Sequence, residues 1–111
     1  MSKFDDAIAT YMGEAKKQGL SVDQDLLVKI TKGLGPSIYN ADSSKVSSSD
    51  PQELERVKKN FLIKKLGLAD GPQLDTLIQG AVKQIGSSNT NKYRALFYYL
   101  LVKDAGKESA Y

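Results

Sequence analysis

At 111 residues, 41% of them apolar and 26% charged, the chain has the length and balance of one small globular domain, which excludes wholesale disorder. It contains no cysteine and no histidine, so disulfides, thiolate nucleophiles, zinc–cysteine sites and imidazole general bases are excluded together. The net charge of +3 collects after Asp50, a balance that permits an anionic partner without requiring one.

Ser2 is placed to cap a first helix that ends near Gly19. In it Phe4, Ile8, Tyr11, Met12 and Ala15 recur at three- and four-residue steps and so form one buried face. Lys16 and Lys17 suit the negative end of its dipole. The opening residues carry Asp5 and Asp6 where a secretion signal would carry a long apolar run, so a cytoplasmic location is expected. Ser21 with Gln24 fits a capping box for a second helix, which presents Leu26, Leu27 and Ile30 and stops near Gly33. Residues 36–40 predict a short helical turn that tucks Ile38 and Tyr39 inward. The serine-rich stretch 41–49 reads as a loop anchored by Val46. It is a loop within one domain, because neither half of the chain is large enough to fold alone.

Asp50, Pro51 and Glu53 give a cap, a proline at the first helical position and an acid three residues after the cap. The third helix they start carries Leu54, Val57, Phe61, Leu62 and Leu66 and ends at Gly67. Asp70-Gly71-Pro72 restarts the pattern, and a fourth helix uses Leu74, Leu77, Ile78, Ala81 and Ile85 before Gly86. Residues 87–91 supply a cap for the fifth helix, the most apolar of all. At roughly 100° per residue, Tyr93, Leu96, Phe97, Leu100 and Leu101 share one stripe of it. Ala95, Tyr98 and Val102 form a second stripe nearly opposite, with Tyr99 on its edge. A helix apolar on two sides is wrapped by others. The unbroken apolar run Ala95–Val102 is far short of the ~20 residues a membrane span needs. Residues 107–111 read as a loose tail unless Tyr111 docks. No stretch alternates with period two, so the expected fold is all-α. It is one domain over residues 1–111, a compact bundle of about five helices with helix–turn–helix pairs around the C-terminal helix.

Constellations that could carry chemistry have simpler readings. Projected from Leu54, Lys58 and Lys65 fall at roughly 20–40°, Lys59 near 140°, Arg56 near 200° and Lys64 near 280°, so these cations surround the third helix. Nucleic-acid readers gather theirs on one face and interleave aromatic rings. Residues 42–53 have the length of a calcium loop, but Val46 and Ser47 stand where an oxygen ligand and a glycine are needed. Gly33-Leu34-Gly35 lacks the strand, third glycine and lysine-plus-hydroxyl ending of a phosphate loop and reads as a helix stop. The pairs Asp23/Asp25 and Glu53/Glu55 lie two apart and point to different sides of a helix.

The segments NKYRALFYYLLVK (91–103), KNFLIKKLGL (59–68) and KGLGPSIYN (32–40) carry a resemblance. With them the chain resembles, nearly end to end, a family of short bacterial proteins known only as a domain of unknown function. The resemblance implies an all-helical single domain from a bacterial cytoplasm, with helix–turn–helix pairs like those of calcium-binding proteins but without the ligands. It brings no activity, substrate or catalytic residue.

The function expected from the residues is a small non-enzymatic interaction module with no cofactor, metal or catalytic residue. It would meet an unknown protein partner, or a second copy in a weak homodimer, through Lys92, Arg94, Tyr98, Tyr99 and Val102. Tyrosines suit that role because the ring buries area while the hydroxyl stays wet. The alternatives are a weak anion or nucleic-acid binder using the basic C-terminal half, and an enzyme built on a buried lysine of lowered pKa.

Overall fold

Ser2 opens the first element: its hydroxyl accepts the Asp5 N–H at 3.1 Å and caps α1 (Lys3–Lys17). The computed structural model describes residues 2–40, 44–86, 89 and 92–111. The helix closes in a Schellman turn, with Leu20 N–H donating to the Ala15 carbonyl at 2.8 Å and Gly19 N–H to Lys16 at 3.1 Å.

The second helix, α2 (Gln24–Leu34), begins later than the Ser21 capping box predicts. Asp23 is the cap, accepting the Asp25 N–H at 3.0 Å. The reason is tertiary: Asp23's own N–H donates to the Tyr99 hydroxyl at 2.7 Å, and that bond holds Asp23 extended at the helix entrance. A 3₁₀ turn, Gly35–Tyr39, follows. Ile38 is buried as expected, but Tyr39 is 47% exposed. With three residues per turn, neighbours diverge by roughly 120°, so only one of the two can face inward.

Val46 anchors the next loop from both sides. Its side chain is buried, and its N–H donates to the Lys92 carbonyl at 2.7 Å while Arg94 N–H donates to Ser44 at 2.7 Å. The result is an isolated antiparallel bridge between Lys45 and Tyr93, joining the loop after α2 to the approach to the last helix.

Asp50 caps α3 (Pro51–Arg56) through the Gln52 N–H at 2.9 Å, with Pro51 in the first turn. One continuous α-helix to Gly67 is the expectation, yet the backbone widens into a π-helix over Val57–Ile63. The positions of the apolar residues explain this. At roughly 100° per residue Val57 and Leu66 would point to opposite sides. Wider i→i+5 turns bring Val57, Phe61, Leu62 and Leu66 into the core together.

The fourth helix, α4 (Pro72–Ile85), buries Leu74, Ile78, Ala81, Val82 and Ile85, with Leu77 at the edge. The fifth, α5 (Arg94–Ala105), buries every side chain from Ala95 to Val102. It packs against α2, α4 and α1, as the centre of an all-helical bundle of five helices. Tyr93 precedes its first turn without a side-chain cap, and of residues 87–91 only Asn89 is among those described. Beyond α5, Glu108–Ala110 make a 3₁₀ turn and Tyr111 docks, half-buried against the core. The Lys65 ammonium lies 4.9 Å above its ring.

Candidate functional site

The stripe expected to meet a partner is turned inward. Val102 is fully buried, Tyr99 is 2% and Tyr98 9% exposed, and Lys92 is buried as well. The Tyr98 ring stacks on Phe61 with centroids 4.0 Å apart and planes 23° apart. Lys92 donates to the Asn89 carbonyl. Arg94, at the start of α5, is half-buried and reaches three elements: its guanidinium pairs with the Glu53 carboxylate and donates to the Tyr98 hydroxyl at 3.1 Å and to the Lys45 carbonyl at 3.4 Å. Arg56 pairs with the same carboxylate at 2.8 Å. Burial acts to raise the Glu53 pKa, but hydrogen bonds and charge from Arg56 and Arg94 outweigh it and hold the carboxyl below its ordinary value. Arg94, Tyr98, Glu53 and Lys45 thus gather as an internal clasp joining α3, α5 and the bridge, whereas Tyr99 binds Asp23 at the entrance of α2 and Lys92 binds Asn89.

An opening that faces solvent lies elsewhere. A groove of about 660 Å³ runs between α1 and α2, walled by Phe4, Ile8, Met12 and Val28. Ile8 is buried at its base while Phe4, Met12 and Val28 are half-exposed. The titratable side chains among its lining are Asp5 and Lys32, both exposed. The sequence assigns Phe4 and Met12 to the buried face of α1. A signal for the groove exists in Met12 and Val28, which sit at the margins of the apolar stripes of their helices, where coverage by a neighbour is least complete.

Residues 10–109 match a family model described as a protein of unknown function (DUF2853). The chain belongs to the DUF2853 family. That match covers all but the first turns of α1 and the last residues, in keeping with the near end-to-end resemblance. A search of curated proteins finds no relative.

In this DUF2853 chain three cations of the third helix, Arg56, Lys58 and Lys59, have carboxylate partners. Arg56 meets Glu53, Lys58 meets Asp75 of α4 at 2.9 Å, and Lys58 and Lys59 each approach Glu55 at 3.5 Å. The Lys58 ammonium is held above its usual range first by the hydrogen bond to Asp75. Among the described residues no group of three His, Cys, Asp or Glu is placed to hold a metal ion, and no helix is long and apolar enough to cross a membrane.

Proposed function

We propose that the protein is a non-catalytic interaction module that receives an amphipathic helix of a partner protein in the groove between α1 and α2. The observation that carries this reading is the groove itself, about 660 Å³ with an apolar base at Ile8 and half-exposed walls at Phe4, Met12 and Val28. A channel between two helices suits a third helix that lays its i, i+4 and i+7 apolar side chains into it. Met12 adds an adaptable wall. Charge narrows the occupant: Asp5 and Lys32 line the same opening with opposite sign, which fits a helix bearing one basic and one acidic residue beside its apolar stripe. This places recognition on α1 and α2 instead of Tyr98 and Tyr99, whose side chains are occupied inside the bundle.

The test is affinity capture from the native cell with the wild-type chain and with Met12→Glu and Val28→Glu variants as baits, each shown helical by circular dichroism. A partner specific to this groove is retained by the wild type and by a Tyr39→Ala control, and weakened at least about tenfold by either charge insertion. Capture that is indifferent to both glutamates refutes the reading.

A further inference from the structure

A second cavity, of about 260 Å³, lies where the end of α2 meets the π-helical segment and the docked Tyr111. Three of its walls are aromatic: Phe61 and Tyr98, already stacked on one another, and Tyr111. Two further lining groups are polar and exposed, the Asn60 amide and the Lys65 ammonium. Neither hydrogen-bonds or ion-pairs with another described side chain, Lys65 making only its cation–π contact with Tyr111. Their presence in one cavity follows from the backbone. Residues five apart on an α-helix diverge by roughly 140°. The i→i+5 winding of Val57–Ile63 turns Asn60 and Lys65 toward the same opening.

We propose that this cavity binds a small monocyclic aromatic carboxylate. The ring packs against Phe61, Tyr98 and Tyr111, and the carboxylate takes a hydrogen bond from Asn60 and the charge of Lys65. Size supports a single ring: an apolar cavity of about 150 Å³ already accommodates benzene, so the space here holds a ring with its carboxylate and a short substituent. Aromatic walls favour an aromatic ligand through offset and edge-to-face contacts. An ammonium on a flexible stem supplies one point of charge without the fixed fork of an arginine, which matches a mobile monoanion. The site shares no lining residue with the α1–α2 groove, so its occupancy is independent of the partner reading.

The experiment is titration of the ¹⁵N-labelled full chain with benzoate, followed by amide shifts. Benzyl alcohol serves as a ring without charge and acetate as charge without a ring. Saturable benzoate shifts grouped at Gly33, Leu34, Asn60, Lys65 and Tyr111 are expected, weaker binding of both analogues, and a loss of about threefold to tenfold in affinity in Lys65→Gln and Asn60→Ala. Both substitutions are at exposed positions, and their unliganded spectra report folding directly. Absence of saturable benzoate shifts, shifts scattered over the surface, equal affinity for acetate, or unchanged affinity in Lys65→Gln would each overturn the proposal.

Discussion

Tyr11 is 3% exposed, and its ring sits 5.1 Å from that of Tyr93. Burial first, then the neighbouring Tyr93 and Tyr39, push its pKa from 10.0 to about 12. The neutral hydroxyl is therefore favoured by folding. Its contribution is complete below pH 10.0 and is lost as pH rises toward about 12. Denaturant midpoints measured across that window should fall for the wild type and fall less for Tyr11→Phe. Glu53 has the opposite sign. Its carboxyl is depressed below 4.5 in the folded chain, so the stability it brings is present above that value and fades as pH drops through the lower folded pKa. Glu53→Gln is expected to cost about 1–3 kcal/mol at neutral pH, since it removes the charged carboxylate that pairs with the half-buried Arg94 and with Arg56. The variant should also show a flatter acid limb in urea unfolding. Neither arrangement is legible in sequence. Tyr11 and Tyr93, or Glu53 and Arg94, are far apart along the chain, and periodicity assigns a side chain to a face without naming the side chain opposite it.

The elements themselves are largely legible, because each carries its own start and stop chemistry. Ser2, Asp50 with Pro51, and Gly67 all act where their residue types predict. Two departures share a cause. Asp23 takes the cap from Ser21 because Tyr99 binds its backbone, and the third helix widens because its apolar residues follow no single 3.6-residue period. In both, a contact made by the whole fold overrides a local preference. Two glycines form a matched pair for separating backbone from packing effects. A Cβ on Gly13, within α1, or on Gly67, at φ +72°, meets nothing within 4 Å. Gly13→Ala should therefore stabilise by about 0.5–1 kcal/mol. Gly67→Ala should destabilise by about 1–2 kcal/mol, as a left-handed residue that gains a side chain. Thermal unfolding of the two variants side by side checks both signs.

For the whole molecule, the fold class and the central place of α5 follow from one observation, a helix apolar on two sides. Which side would be covered by the chain itself does not follow from it. The structure covers both: Tyr98 stacks on Phe61, and Leu101 and Val102 are fully buried. Leu101→Ala is accordingly expected to cost about 2–5 kcal/mol, a large share of the 5–15 kcal/mol that typically holds a domain of this size. Tyr98→Arg should collapse the near-ultraviolet circular dichroism of the monomer, whereas a role confined to association would leave that signal intact. The α1–α2 groove left only the marginal positions of Met12 and Val28 as a signal, since a partly covered residue and a fully covered one carry the same apolar letter.

The position of α5 at residues 94–105 also bears on how the protein comes into being. A ribosome delivers the chain from its N-terminus at roughly 5–20 residues per second. Until α5 follows, α1, α2 and α4 lack the helix that all three pack against, so their apolar faces are incompletely covered. Truncated products that stop before α5 should thus be prime substrates for proteases, and the newborn domain should pack fully only once α5 has been delivered.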